Sequence, residues 1–547
     1  MNEPEEVPEM LLQRPAFVFL AALLAVGSAP AWLPAQVLAP EGYRGYPQLE
    51  PPSAFSATAR AVEETLRLED HVRFQQEELE RQRLRIEQLE RAAAENGPPA
   101  LDPWQKATGP WLGEDLEPPT LEETAPRIDV GGQYRVMFNS ANFGFHPETL
   151  SDDQPSQNFF NQRFRTWLTV SPNDEVEGHI QVQMGHILWG ENFEFPGANV
   201  APLFPAREDR VGIALRRGYL SYQTDSWGRL RAGIQDWQDS FGQTLASSDW
   251  DFNVGGLTWA RAFPRLGNMD LLFGAFQLFN GDVTAADSAM LFTWDGDWTG
   301  PRGNSLGWSA YYLPDRGGYS YPTAPPYRSA QDVWLGTRGH WLSGPVPLHG
   351  FVIYNAGRRD ELGEQPAFIH RGWALKGEVG PVALGPGALS FQTLYSTGDR
   401  NPDDRRSGEF RTVAQSTRDN FGAQGYWSYL AITSPHGPSD VNDLGVSLQN
   451  RGLGLFTVQT KYEYPLFPRL AGVLAVGWLR SDAPNPVSGT SEIGTELANT
   501  FTYDFGGGLN LDFGAAVLFT GDFYKPSPAA PRPDDLWMAF SRLQLEF

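Results

Sequence analysis

The chain contains no cysteine. Disulfides, thiolate metal sites, thiol nucleophiles and covalent haem attachment are all excluded by that one absence. Long hydrophobic runs are missing as well. The apolar stretch from Ala16 to Val26 is too short to span a bilayer comfortably as a helix, and mean hydropathy is only −0.38. Positive charge is in deficit: 42 basic residues against 66 acidic ones give a formal net charge of −24. Residues 1–126 hold 10 basic and 22 acidic side chains and the remainder 32 and 44, so neither part is a basic tail. Nucleic acid is an unsuitable partner for such a surface, because phosphates need a basic face. The eight histidines show no metal-ligand spacing such as His-Glu-x-x-His. No metal and no cofactor is expected.

What the chain has in abundance is alternation. From about residue 127 onward, stretches of roughly ten residues alternate apolar and polar side chains, separated by Gly, Asn, Asp and Pro. Such a strand has one greasy and one wet face. Aromatics make up 13% of the chain and crowd the greasy faces. The fold class this predicts is all-β: a transmembrane antiparallel β-barrel, oily outside and wet within, over residues 127–547. A barrel escapes hydropathy scans because every second residue faces the lumen. It also leaves no unpaired sheet edge in lipid.

Eighteen strands are expected. They cover 128–139, 159–170, 175–189, 211–224, 227–236, 254–263, 267–280, 287–298 and 303–313, then 331–342, 347–357, 367–379, 386–398, 453–464, 469–480, 492–504, 508–520 and 535–547. The gaps alternate. Tight turns such as Asp225-Ser226, Ser343-Gly344-Pro345 and Phe505-Gly506-Gly507 interleave with longer connections, including 190–210, 237–253 and 399–452. Short periplasmic turns and long external loops produce that asymmetry. Within 399–452, the pieces 424–432 and 442–450 either form a further hairpin, for twenty strands, or belong to one long loop folded over or into the pore.

Alternation also assigns faces. Tyr134, Phe160, Phe164, Leu168, Ile180, Leu220, Leu230 and Ile234 go to lipid. Arg135, Arg163, Arg165, Arg217 and Arg231 then line one wall of the lumen, with amide side chains between them. Lys376, Lys461 and Arg542 fall on inward positions by the same rule, as do Glu378, Glu463, Glu496, Asp512 and Glu546. A row of guanidinium groups lowers the energy of an anion in a water-filled tube, and Arg can hold a carboxylate with two parallel bonds. The competing reading is an interior of mutually compensating ion pairs.

The N-terminal part reads differently. Residues 1–35 resemble a secretory signal: Arg14, the apolar run, then small residues Ser28, Ala29 and Ala31. Glu3, Glu5, Glu6 and Glu9 stand where positive charge belongs, and a translation start at Met10 would make the signal ordinary. Residues 36–57 are a Pro/Gly/Ala-rich linker. Residues 58–95 form a helix in which Leu68, Val72, Gln75, Leu79, Gln82, Ile86, Leu89 and Ala93 follow a heptad seam. Such a seam predicts a short periplasmic coiled coil and self-association, as a trimer for instance. Residues 96–126 are a Pro- and acid-rich linker without fixed structure.

Several short motifs carry a family resemblance over residues 127–547. Asn161-Gln162-Arg163-Phe164-Arg165, Leu215-Arg216-Arg217-Gly218-Tyr219-Leu220, Arg231-Ala232-Gly233-Ile234-Gln235, Gly255-Gly256-Leu257-Thr258-Trp259 and Thr520-Gly521-Asp522-Phe523 resemble the alginate-export family of outer-membrane porins. The resemblance implies an eighteen-stranded monomeric barrel in the outer membrane of a Gram-negative bacterium. It also implies an arginine-lined pore passing an anionic polysaccharide such as a polyuronate, with Arg163, Arg165, Arg217 and Arg231 lining it. The coiled coil departs from that pattern and looks more like the extension of trimeric phosphate-type porins. Expected partners are the anionic solute, membrane lipid, lipopolysaccharide and a second copy of the chain. Two alternatives stand beside the anion channel: a trimeric general or phosphate-type porin, and a structural protein with a plugged lumen. An enzyme is not expected. The one Gly-x-Ser-x-Gly match, Gly303-Asn304-Ser305-Leu306-Gly307, opens an expected strand, whereas a nucleophile elbow needs a strand before the serine and a helix after it.

Overall fold

The computed structural model describes residues 126–143, 156–189, 213–247, 252–280, 288–300, 303–316, 327–362, 366–401, 404–413, 428–434, 438, 439, 444 and 446–547. The expected signal segment, both linkers (apart from Pro126) and the heptad helix lie outside them.

Alternating apolar and polar residues, rich in aromatic and β-branched types, fold as strands. These are β1 (Arg127–Ala141), β2 (Gln157–Ser171), β3 (Val176–Leu188), β4 (Ile213–Thr224), β5 (Gly228–Asp236), β6 (Asn253–Phe263) and β7 (Met269–Asn280). They continue as β8 (Ser288–Thr299), β9 (Ser305–Asp315), β10 (Tyr327–Ser343), β11 (Val346–Glu361), β12 (Phe368–Leu384) and β13 (Gly387–Ser396). A two-residue strand, β14 (Arg406–Ser407), precedes β15 (Leu455–Phe467), β16 (Leu470–Arg480), β17 (Glu492–Gly506), β18 (Leu509–Thr520) and β19 (Leu536–Glu546). Each of the eighteen expected strands is present.

Every strand except β14 pairs antiparallel with its sequence neighbours, and β13 pairs directly with β15. The sheet closes where β1 pairs β19, with Gln133 opposite Glu546 and Ala141 opposite Met538. Eighteen strands thus form a closed barrel. β14 lies parallel to β12, with Ile369 opposite Arg406 and His370 opposite Ser407. It fills the place beside β12 that β13 leaves vacant beyond the Ala374–Ser396 pair. No further hairpin forms in the described parts of 399–452, so the strand number is eighteen rather than twenty.

Short turns gather at one end, among them Gly344-Pro345 and Gly507-Gly508; the long connections gather at the other. Positive φ at Gly344 (64°) and Gly507 (64°) lets the chain reverse where a Cβ would be strained. The outer surface is apolar. Val130 is 67% exposed, Leu220 68%, Leu257 54% and Trp373 47%. A contiguous apolar belt of this extent marks a surface that meets lipid rather than water.

The buried core lies on the opposite face, inside the barrel. Phe276, Leu291, Tyr311, Leu313, Trp334, Ile353, Leu394, Leu455, Leu479, Ile493 and Leu518 point inward from the wall. They pack against residues of two connections. Trp237, Phe241 and Leu245 come from the β5–β6 connection; Phe410, Val413, Leu430, Ile432, Val446 and Leu448 come from the β13–β15 connection. The long loop therefore folds into the lumen.

Candidate channel lining

The arginine wall is built by pleat parity on β1–β5, and one irregularity extends it. In β1, Tyr134 is exposed outward while Arg135 is buried inward. In β2, Phe160 and Leu168 face out, so Asn161, Arg163 and Arg165 face in. In β4, the pairing with β3 shifts by one residue between Gln181–Arg217 and Val182–Leu215. That bulge turns Arg216 inward beside Arg217: Arg216 is only 5% exposed, and its Nη1 donates to Gln183 Oε1 at 2.9 Å. Strict alternation assigns Arg216 to lipid, so simple parity misses it. The doubled arginine was the available signal, since a guanidinium facing hydrocarbon is costly.

Amide side chains orient these groups. Arg163 Nη2 donates to Gln133 Oε1 at 2.8 Å, and Arg165 Nε donates to Gln183 Oε1 at 2.7 Å. An amide oxygen fixes a guanidinium without cancelling its charge. Arg217 and Arg231 share Asp236, each with an N···O distance of 3.3 Å. Arg231 also lies 4.0 Å above the Tyr219 ring, which stacks on His179 at 4.9 Å. Arg135, Arg163, Arg165, Arg216, Arg217 and Arg231 thus gather on this stretch of wall, with Glu177 and Asp236 beside them among the described residues.

Several charged side chains elsewhere on the wall are paired. Lys376 pairs with Glu378 at 3.1 Å, Lys461 with Glu463 at 3.3 Å, Arg359 with Glu361 at 2.7 Å and Arg542 with Asp512 at 2.9 Å. Lys376 and Lys461 both face inward, each beside its own carboxylate. Glu496 faces inward too, but it is fully buried. Its carboxylate accepts from the backbone N–H groups of Ala431, Ile432 and Thr433 at 2.6, 2.8 and 2.9 Å and from Thr433 Oγ1 at 2.7 Å. It holds the long loop against the wall.

Inward glycines let the loops seat closely. A Cβ at Gly477 would lie 2.6 Å from Leu430 Cδ1, one at Gly372 would lie 2.5 Å from Phe410 Cα, and one at Gly336 would strike the Phe241 ring. The long loop is tied further by Trp334 Nε1 donating to the Arg411 carbonyl at 2.7 Å and Ser439 Oγ donating to Asn139 Oδ1 at 2.7 Å. In the β5–β6 connection, Asp239 is wholly buried and accepts from the N–H groups of Phe241, Leu245 and Ala246. A polar cavity of about 500 Å³ lies inside β4–β8 and includes Arg229, Gln238, Ser240, Asp270, Asp295 and Asp297 in its lining. The lumen therefore holds both a dry packed part under the loops and a polar cavity inside β4–β8.

Ser305 opens β9 and is followed by strand, so the Gly-x-Ser-x-Gly match has no nucleophile-elbow geometry. Among the described residues, no group of three His, Cys, Asp or Glu is placed to hold a metal ion.

No family model matches the chain, and no curated protein does. Solved structures of similar form include OccK5 (OpdH) of Pseudomonas aeruginosa, 11% identical with a TM-score of 0.44, matched over 77% of this chain and 98% of that one. A BenF-like porin from Pseudomonas fluorescens Pf-5 is 12% identical with a TM-score of 0.45, over 77% and 99%. OccK8 (OprE) of Pseudomonas aeruginosa is 13% identical with a TM-score of 0.45, over 77% and 98%. Likeness at this level says nothing about which solute this chain handles.

Proposed function

We propose that the protein is an outer-membrane channel for anionic solutes, with its passage along the β1–β5 side of the lumen. Support for the location comes from the closed barrel, its apolar outer belt and the separation of short turns from long loops, features of Gram-negative outer-membrane barrels. The single observation that carries the choice of solute is the gathering of inward arginines on β1, β2, β4 and β5. An anion moving along that wall exchanges hydration for guanidinium N–H donors, and a carboxylate can meet two at once. Arg135, Arg163, Arg165, Arg217 and Arg231 are the proposed lining, with Arg216 added. A uronate sugar, each unit bearing one carboxylate, is the finer solute assignment. Lys376, Lys461 and Glu496 play supporting parts, because each is engaged by a neighbour.

Planar-bilayer recording under a salt gradient tests the proposal. An anion-selective reversal potential, with current reduced by added oligouronate, is expected. A cation-selective potential rejects the anion assignment. One observation favours a second reading, a plugged structural barrel: the loop residues Phe410, Val413 and Ile432 are entirely buried within the lumen. Complete absence of conductance in the same recording selects it.

A further inference from the structure

The outer face of the barrel carries a basic cluster that the channel does not use. Arg358 on β11, Arg371 on β12 and Arg406 on β14 surround Ile369 at the long-loop end. Register fixes their placement: Arg358 lies opposite Ile369, Ile369 opposite Arg406, and Ala356 opposite Arg371. All three point outward. Ile369, Trp373 and Leu375 of β12 are exposed on the same face as Arg371, whereas His370 and Ala374 are buried inside. Arg406 shares the row of Ile369, and its neighbour Ser407 is the buried one. The Arg358 side chain is 63% exposed and pairs with Asp360 at 2.8 Å; Arg371 and Arg406 are exposed and make no ion pair among the described residues.

The setting is specific. Tyr354 and Trp373 face each other across β11–β12, with ring centroids 4.7 Å apart on the lipid side. Exposed aromatic rings at a strand end mark the boundary between hydrocarbon and headgroups. Arg371 lies two residues further out than Trp373, and the Arg358–Ile369–Arg406 row two residues beyond that, roughly 7 Å per step. The guanidinium groups therefore stand at headgroup depth. The backbone carrying Arg406 is fixed, since its N–H donates to Asp404 Oδ1 at 2.6 Å while Asn401 Nδ2 donates to Asp404 Oδ2 at 2.9 Å. Arg405, also exposed, is held by the Pro366 carbonyl. Among the described residues, these four arginines stand against Asp360 and Asp404.

We propose that Arg358, Arg371 and Arg406 form a binding site for the phosphate groups of a phosphorylated glycolipid of the outer leaflet, whose acyl chains lie against Tyr354, Trp373 and Leu375. The site rests on the outer-membrane reading above. Charge complementarity with phosphate and continuity with the lipid-facing aromatic pair select this occupant; Arg presents a donor fork to phosphate.

The full-length protein in detergent is titrated with diphosphorylated lipid A, with the same lipid stripped of phosphate, and with inorganic phosphate, with native mass spectrometry as the readout. Diphosphorylated lipid A is expected to bind, and Arg358→Gln/Arg371→Gln/Arg406→Gln to weaken it at least about tenfold, a loss of roughly 1.4 kcal/mol. Arg371→Lys, which keeps charge but loses the fork, is expected to fall between. Equal binding to wild type and triple variant overturns the site. So does equal binding of the dephosphorylated lipid, or binding of inorganic phosphate in its place. Insertion of the wild type into phosphatidylcholine vesicles is measured separately by protease protection of the strands. Failure there sinks the membrane reading, whereas normal insertion without lipid A binding sinks only this site.

Discussion

Removing the Glu496 carboxylate should release the long loop without opening the barrel. Three backbone N–H groups and one hydroxyl of 431–433 converge on this carboxylate at 2.6 to 2.9 Å, and among the described residues no other side chain accepts them. In Glu496→Ala all four donors lose their acceptor. Stranding a buried hydrogen-bonded network costs about 3–5 kcal/mol, after allowing for the desolvation that the charge itself no longer incurs. Glu496→Gln retains one carbonyl oxygen but turns an NH₂ toward N–H donors, so roughly half of that loss is expected. The cysteine-free background makes the assay clean. Ser434, fully buried at the end of the clamped segment, is replaced by Cys and its alkylation timed in folded protein. A weakening of about 4 kcal/mol raises the open fraction, and with it the labelling rate, about a thousandfold. The barrel should still migrate as a folded, heat-modifiable band, since no wall pairing is touched. Labelling that changes less than twofold, or a barrel that unfolds along with the loop, refutes the reasoning.

Three other perturbations follow from the same geometry. Replacing Arg163, Arg165 and Arg217 together by Gln removes three cations from that wall, and the anion-to-cation permeability ratio in bilayers should fall by about threefold or more; an unchanged ratio places the ion path elsewhere. Gly336→Val drives a side chain into the Phe241 ring, so the β5–β6 connection should loosen by about 1–3 kcal/mol, seen as new proteolysis within 237–247 while the barrel stays folded. The same connection should hold better in acid. Burial pushes the Asp239 carboxyl from its ordinary 3.8 up to about 6, against the opposing N–H donors of Ala246, Leu245 and Phe241 and helped by nearby Asp295. Protons therefore favour the ordered connection: its extra stability is complete below 3.8 and is lost as pH rises toward about 6, by up to roughly 3 kcal/mol. Protection of 237–247 from protease should decline across that window in wild type and stay flat in Asp239→Asn.

Much of the barrel was legible because its cause is local. A strand between lipid and water must alternate, and turn residues must punctuate it, so all eighteen strands could be read from the pattern. The failures have equally physical causes. At Arg216 a bulge breaks the period of two, and parity carries no warning of bulges. In 399–452, Leu430, Ile432, Val446 and Leu448 are buried against the inner wall, and a segment packed inside a barrel shows the same apolar residues as one facing lipid. The clue lay in the wall instead. Gly336, Gly372 and Gly477 occupy inward positions of well-formed strands, and an inward glycine there signals close approach by something else. Glu496 could be placed on the lumen side by parity, but its engagement by 431–433 depends on contacts across 65 residues and has no local signature.

The packed loops inside the lumen give this protein two kinds of cohesion. Between wall and lipid there is no aqueous hydrophobic drive, since acyl chains are as apolar as the side chains they touch; backbone pairing holds the cylinder. Inside, Trp237, Phe241, Leu430 and their neighbours are withdrawn from water, as in any soluble domain. That attraction fades on cooling and in urea. Chilled or mildly denatured protein should therefore keep its cylinder intact while its interior melts, a hollowing that leaves the sheet spectrum unchanged and alters only tryptophan emission.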